Sequence, residues 1–187
     1  QSLLVLDRRS LVRIDKIVLP GHCGAVAYVP SCHKVLVAHT SESVVWSVDA
    51  HLHTLGGTAR VHGTISQLVY DAASDKVLGL CSTNEIAVID PWSMTVVFYW
   101  TLTPSTKITG LGADSGLGVV FAGDTNGQVS VLDSHSGAVL ASVDTQAPIS
   151  SLAYDSSAQQ IYCLSQYQGV VTVVQIARGG SALDLGQ

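Results

Sequence analysis

A pattern that recurs about every 42 residues is the feature that most constrains the fold of this chain. Four times, a short segment of alternating apolar and polar residues ends in an aspartate. These aspartates are Asp7, Asp49, Asp90 and Asp133, at intervals of 42, 41 and 43 residues, and a further step of 42 reaches Gln175. Because such alternation indicates a half-buried β-strand, the same strand is predicted in every unit.

A second pattern keeps the same phase as the first. Three segments begin with Ile, carry Leu at the fourth position and end in Asp; they span residues 65–71, 108–114 and 149–155. They add Asp71, Asp114 and Asp155 to the set of recurring aspartates. Two independent patterns that stay in phase over several steps indicate an internal structural repeat.

Each unit predicts four short strands joined by turns. In the unit at 108–143, Asn126 and Gly127 supply the positive φ angles of a tight hairpin, and Gly137 is predicted to be left-handed. No helical period of useful length is present. Four strands in about 42 residues are typical of a β-propeller blade. The sequence therefore predicts an all-β fold, a β-propeller made of four-stranded antiparallel blades.

The repeat also predicts the organisation of the chain as a single β-propeller segment, 1–187. Its parts are two outer strands of an incomplete blade at 1–19, full blades at 23–57, 65–102 and 108–143, a partial blade at 149–176 and a loose tail at 177–187, with seventeen strands in all. A stack of blades that is cut open exposes apolar faces and strand edges. We therefore expect part of a larger ring, about seven blades, completed by the same longer polypeptide or by another chain. A closed ring of four blades is the alternative.

Composition limits the classes of partner. The chain has a net charge of −5 and only nine Lys and Arg residues, whereas nucleic-acid surfaces usually carry a basic patch. No apolar run approaches the roughly 18 residues of a membrane-spanning helix. We therefore expect no nucleic-acid partner and no membrane insertion. The four cysteines form no CxxC pair, which predicts reduced, buried thiols and a cytoplasmic location. The chain begins at Gln1 in a strand-like segment, so a piece of a longer protein is expected.

The repeat resembles the WD-repeat family of β-propellers. Gly21 and His22 precede the first full unit like the Gly-His pair of that family, and His62 with Gly63 lies in a similar place. The Trp-Asp pair of the family is missing, since the residue before each aspartate is Leu6, Val48, Ile89 or Leu132. The resemblance implies a propeller that acts as a protein-interaction scaffold. The units are also similar to quinoprotein-like and YVTN-type propeller repeats, some of which belong to enzymes.

The recurring polar residues are predicted to have structural roles. A catalytic residue is ordinarily needed once, so a residue that returns in every unit points to the fold. We predict that the seven aspartates stabilise turns. We also predict that His22 and His62 bond the backbone where one blade connects to the next.

No residue is predicted to be catalytic, to bind a cofactor or to ligate a metal. His51 and His53 form the only close histidine pair, and a transition-metal site needs more ligands. The run from Asp133 to Ser136 contains the residue types of a catalytic triad, but adjacent residues cannot adopt its geometry. Phosphate-cradle, dinucleotide and metalloprotease motifs are absent.

Three aromatic residues are candidate partner contacts. Trp92 falls in a predicted turn, and Tyr99 and Trp100 end a predicted outer strand. Aromatic residues at loops and edges often anchor interfaces, although local packing is the alternative. The sequence thus favours a non-catalytic protein–protein interaction scaffold within a multiprotein assembly. A ligand-binding or enzymatic propeller of quinoprotein or lactonase type, and a module that only assembles its own oligomer, remain open.

Overall fold

The computed structural model describes residues 2–102 and 106–176, together with the backbone of 183–185. These residues form eighteen β-strands and a short 3-10 helix at Pro30–Cys32, and none of them lies in an α-helix. In chain order the strands are β1 (Ser2–Leu6), β2 (Arg13–Val18), β3 (Cys23–Val29), β4 (Lys34–His39), β5 (Val44–Asp49), β6 (Leu55–Arg60), β7 (Ile65–Asp71), β8 (Lys76–Cys81), β9 (Glu85–Asp90), β10 (Thr95–Thr101), β11 (Ile108–Asp114), β12 (Val119–Asp124), β13 (Gln128–Asp133), β14 (Val139–Asp144), β15 (Ser151–Asp155), β16 (Gln160–Ser165), β17 (Val170–Ile176) and β18 (Leu183–Leu185). The all-β prediction is confirmed.

Each sheet is built from strands that follow one another in the chain. β1 and β2 form a two-stranded sheet, and β3–β6, β7–β10, β11–β14 and β15–β18 form four four-stranded sheets. β18 pairs antiparallel with β17 and lies in the segment 177–187 that was predicted to be loose. The rest of that segment, 177–182 and 186–187, lies outside the described residues. β18 brings the total to eighteen strands rather than the predicted seventeen.

The chain divides into two compact units. The first comprises Gln1–Tyr70 and Val77–Tyr99, and the second comprises Asp71–Lys76 and Trp100–Gln187. In the first unit, one apolar cluster includes the fully buried side chains of Leu36, Val45 and Val77. A second cluster packs Ile17 of β2 against Trp46 and other residues of the sheet β3–β6. The two-stranded sheet is therefore held through one of its faces.

In the second unit, the sheets β11–β14 and β15–β18 pack closely on each other. Their shared cluster includes Phe121, Ile149 and Ile161, and the Phe121 and Tyr154 ring centroids lie 4.8 Å apart. A Cβ atom at Gly110 would lie 2.8 Å from the main-chain nitrogen of Leu152. A glycine is therefore required at this close approach between β11 and β15.

Seven turns share one hydrogen-bond pattern. At Asp133 the carboxylate accepts hydrogen bonds from the N–H groups of His135 and Ser136, at 3.1 and 2.7 Å. The Gly137 N–H donates to the Asp133 carbonyl at 2.8 Å, and Gly137 has a φ of 72°. Equivalent N–H donors, two and three residues on, serve Asp7, Asp49, Asp71, Asp114 and Asp155. At Asp90 the donors are the Trp92 N–H and the Ser93 hydroxyl. The hydroxyls of Ser136 and Ser157, followed by these N–H groups, hold the pKa of the Asp133 and Asp155 carboxyls below the ordinary value.

Five of these turns place a residue other than glycine in the left-handed region four positions after the aspartate. The residues are Leu11, His53, Asp75, Met94 and Gln159. A side chain in this conformation costs about 1–2 kcal/mol, and the hydrogen bonds to the aspartate offset that cost. The turn geometry therefore follows from the aspartate more than from a glycine.

Candidate interaction surface

The main-chain carbonyls of His22 and His62 both accept hydrogen bonds, that of His62 from the Thr83 hydroxyl at 3.4 Å, and the backbone-bonding roles predicted for the two side chains stay predictions. The carbonyl of His22 accepts a hydrogen bond from the Thr40 N–H at 2.9 Å. The ring of His62 instead contacts two side chains: its Nδ1 lies 3.1 Å from Glu85 Oε2, and its face stacks on Tyr99. β9 and β10 bring Glu85 and Tyr99 beside the ring of His62.

A third histidine, His39, was not singled out by sequence reasoning. Its side chain is 3 % exposed, and its Nδ1 accepts hydrogen bonds from the N–H groups of Ser41 and Glu42, at 3.1 and 2.8 Å. The ring meets Trp46 edge-on, with centroids 5.1 Å apart. A side chain at Gly21 would overlap this ring. His39 is therefore a core residue of the first unit. The only signal of this role in the sequence was Gly21, the glycine ahead of His22.

The three aromatic candidates for partner contact lie in different environments. Trp92 is 60 % exposed, and Lys34 Nζ fixes its turn by donating to the carbonyls of Pro91 and Trp92, at 2.8 and 3.1 Å. Tyr99 is half-buried beside His62. Trp100 is only 7 % exposed because it packs against Gly137, which has no side chain. Trp100 is thus a packing residue and not a surface anchor, whereas contact through Trp92 stays a prediction.

The two-stranded sheet carries apolar side chains on its outer face. Leu4, Leu6, Ile14 and Val18 are between 49 % and 71 % exposed, and we call them the incomplete-blade face. The alternate residues Leu3, Val5 and Ile17 point to the core instead. Along β1, an apolar groove of about 240 Å³ lies between this sheet and residues such as Val35 and Val48. The first unit therefore leaves an apolar sheet face exposed.

Asp15 and His53 join β2 to the turn that follows β5. Asp15 Oδ2 lies 2.8 Å from His53 Nδ1. The N–H of Lys16 and the His53 ring together lower the pKa of the Asp15 carboxyl. The pair fixes the position of the two-stranded sheet beside the groove along β1.

The second unit also exposes an apolar sheet face. On β15–β17, one face carries the buried Leu152, Ile161 and Cys163. The opposite face carries Tyr162, Leu164 and Val171, which are 36 %, 42 % and 57 % exposed. We call these three residues the terminal-blade face. In each compact unit, one sheet thus carries apolar side chains on both of its faces. One of these faces is buried in the core of the unit and the other is exposed.

The second unit also contains a cleft of about 510 Å³. It is lined by Thr109 of β11 and by residues that precede or follow strands in the sheets β11–β14 and β15–β18, among them Lys107, Ser150 and Tyr167. The ring of Tyr167 is 88 % exposed. Polar groups, a cation and an aromatic ring are therefore gathered at one concave site.

The described residues give little sign of reactive groups. None of their His, Cys, Asp and Glu side chains form a group of three or more that could hold a metal ion. All four cysteines lie in the described residues and none forms a disulfide. Burial raises the pKa of the Cys81 and Cys163 thiols to about 11, so both are protonated near neutral pH. In the part of the chain described, no helix has the length and apolar character needed to cross a membrane.

Comparisons with known proteins show the fold alone. Neither the protein-family models nor the curated proteins give a match to this sequence. Among solved structures, the chain is similar to the crystal structure of the β-propeller domain of Cps50 (Swd1) from Myceliophteria thermophila. The TM-score is 0.80 at 13 % identity, and the match covers 98 % of this chain and 64 % of that one. The chain thus has a β-propeller fold with four-stranded blades, and its share of that domain fits part of a larger ring.

Proposed function

We propose that this chain is a non-catalytic protein–protein interaction scaffold, a WD-repeat-type propeller segment within a multiprotein assembly. The observation that carries the proposal is the incomplete-blade face, with Leu4, Leu6, Ile14 and Val18 exposed on a sheet of two strands. Exposed apolar patches of this kind mark interaction sites. Because these side chains are between 49 % and 71 % exposed, covering each of them would contribute about 1–2 kcal/mol.

The strand pairing supports the same proposal. In the complete sheet β3–β6, the third strand β5 pairs with β4 through contacts such as Val35 with Val48. β1 corresponds to β5 in the repeat, because Asp7 corresponds to Asp49. Among the described strands β1 pairs only with β2, which leaves its other edge without a partner strand. Further blades, from the same longer polypeptide or from another chain, would complete this sheet.

The proposal includes a cytoplasmic location and protein partners rather than nucleic acid. Four cysteines outside disulfides support a reducing compartment. The net charge of −5 supports protein partners, since it opposes binding to a polyanion. The likeness to a propeller domain supports a rigid frame for such partners, and function then depends on the exposed surfaces.

The test is the solution mass of the 187-residue chain, measured by light scattering after size exclusion. We expect a dimer, a higher oligomer or a complex with a co-purifying chain. Leu4→Glu and Val18→Glu should each reduce this association, because a charge placed on the incomplete-blade face opposes its burial. Both side chains are largely exposed, so the melting temperature of the isolated chain should change little.

Leu140→Glu is the matched control, because Leu140 is also exposed, at 53 %, but lies on β14 and outside both exposed faces. Its association should equal that of the unchanged chain. A clean monomer with a cooperative melt, insensitive to Leu4→Glu and Val18→Glu, would overturn the proposal. It would instead mean that the chain closes a ring by itself.

A further inference from the structure

We propose that the cleft in the second unit binds an extended acidic peptide segment of a partner protein. In this arrangement a partner Asp or Glu carboxylate pairs with the ammonium of Lys107, and an apolar side chain packs against Tyr167. The inference rests on the proposed interaction role and names a ligand class for it. Its residues are separate from the incomplete-blade face, so the two proposals are tested by different measurements.

The walls of the cleft are fixed by hydrogen bonds. The Thr125 N–H donates to the Lys107 carbonyl at 2.9 Å, and the Gln166 N–H donates to Ser150 Oγ at 3.1 Å. The Thr109 hydroxyl bonds the carbonyl of Ile149 at 2.7 Å, which joins the two sheets. A preorganised site loses less free energy when a ligand binds.

The charge of the cleft favours an anion. Lys107 is the only charged side chain among its described lining residues. Neither histidine–carboxylate contact of the described residues, His53 with Asp15 or His62 with Glu85, involves Lys107. Asp124 is the aspartate closest in sequence to a lining residue, since it precedes Thr125. It is buried and accepts hydrogen bonds from the N–H groups of Asn126 and Gln128. A positive site within a chain of net charge −5 is complementary to a carboxylate.

Size and polarity favour a peptide over a small ion. The cleft volume of about 510 Å³ is that of a site for several residues or a drug-sized molecule. Tyr167 supplies an exposed aromatic ring, and tyrosine is among the residues that anchor protein interfaces. The Ser150 hydroxyl and the Gln166 amide line the same cleft and suit the amide groups of an extended backbone.

The single lysine favours a carboxylate over a phosphate. Phosphopeptide sites generally use clusters of arginine that engage several phosphate oxygens, and no arginine lines the cleft among the described residues. Lysine presents a compact point charge, which suits a single carboxylate. The carboxylate and the apolar side chain of the ligand should be two positions apart, because alternate side chains of an extended chain point the same way.

The test uses fluorescence polarisation with three labelled pools of heptapeptides on the 187-residue chain. All pools have Phe at position 5 and mixed residues elsewhere, and position 3 is Asp, Asn or phosphoserine. We expect the Asp pool to bind about fivefold more tightly than the Asn pool, the upper value for an exposed ion pair. The phosphoserine pool should bind no more tightly than the Asp pool.

Two substitutions assign the effect to the cleft. Lys107→Met should abolish the preference for Asp over Asn, whereas Arg60→Met, at an exposed cation on β6 outside both exposed faces, should preserve it. Tyr167→Ala should weaken the Asp and Asn pools alike, by about tenfold, and Tyr167→Phe should retain most of the binding. Both cleft residues are exposed, and an unchanged melting temperature verifies that the variants fold.

Equal binding of the Asp and Asn pools, or a preference that survives Lys107→Met, would overturn the inference. If the phosphoserine pool bound tenfold more tightly than the Asp pool, the ligand of the cleft would be a phosphopeptide and not an acidic peptide. Light scattering on the same samples separates the two proposals. If the chain associates but binds the Asp and Asn pools equally, only the cleft proposal fails. If the chain is a self-contained monomer that prefers the Asp pool, only the proposal that other blades cover the incomplete-blade face fails.

Discussion

The ring of His62 lies flat against the ring of Tyr99, with centroids 3.9 Å apart and an interplanar angle of 1°. The hydroxyl of the same tyrosine accepts a hydrogen bond from the main-chain N–H of His62 at 3.1 Å. Tyr99 on the outer strand β10 therefore fixes both the backbone and the side chain of the residue that precedes the turn into β7.

Removal of the Tyr99 ring should destabilise the chain more than removal of its hydroxyl. Tyr99→Phe keeps the stack and loses one hydrogen bond, so the free energy of unfolding should fall by about 1 kcal/mol or less. Tyr99→Ala also loses the stacked ring and its packing, for a total of about 2–3 kcal/mol. Urea unfolding followed by fluorescence measures both values. Equal losses in the two variants would show that the stack contributes nothing.

Glu85 should make stability depend on pH in the acid range. A hydrogen bond from the Thr83 hydroxyl, at 2.9 Å, and the contact with His62 lower the pKa of the Glu85 carboxyl in the folded chain. The stabilising contribution is complete above the unfolded pKa, about 4.3, and is lost as the pH falls through the lower folded value. The gap in unfolding free energy between the unchanged chain and Glu85→Gln should therefore narrow on acidification. A gap that stays constant from pH 7 to pH 3 would contradict this assignment.

Gly137 and Gly169 offer a matched pair of substitutions to alanine. Both have left-handed backbones, with φ of 72° and 65°, but a Cβ atom at Gly137 would lie 2.5 Å from Trp100 Cγ, and one at Gly169 would meet nothing within 4 Å. Gly169→Ala should cost about 1 kcal/mol for its backbone alone. Gly137→Ala adds the cost of overpacking, for a total of about 2–4 kcal/mol. Melting temperatures measured by circular dichroism test whether Gly137→Ala is less stable than Gly169→Ala. Equal melting temperatures for the two variants would contradict this prediction.

The fold was predictable from the sequence because the signals for strands and turns are local. An aspartate, its two donors and a left-handed residue all fall within five positions, so each turn is visible in one short segment. The sequence left open whether the last strand of the fourth blade is missing or lies in the tail, because a strand of three residues, Leu183–Leu185, is too short to show an alternating pattern.

The surfaces were harder to predict because they depend on residues far apart in the chain. Trp100 is covered through its contact with Gly137, and no local rule relates these two positions. Lys107 and Tyr167 come to one cleft only because the sheets β11–β14 and β15–β18 pack together. The exposed aromatic Trp92, in contrast, lies in a turn that the sequence marked by Pro91 and Ser93.

Within the described residues, every sheet pairs only strands that are neighbours in sequence. Each sheet therefore forms by closing short loops, whose entropic cost is small, and long-range pairing does not limit the rate at which a single sheet forms. Formation can begin in any sheet and spread to the next by face-to-face packing, as in other repeat proteins. In evolution, one unit of about 42 residues can accordingly be duplicated or lost without changing how the strands of the remaining units pair.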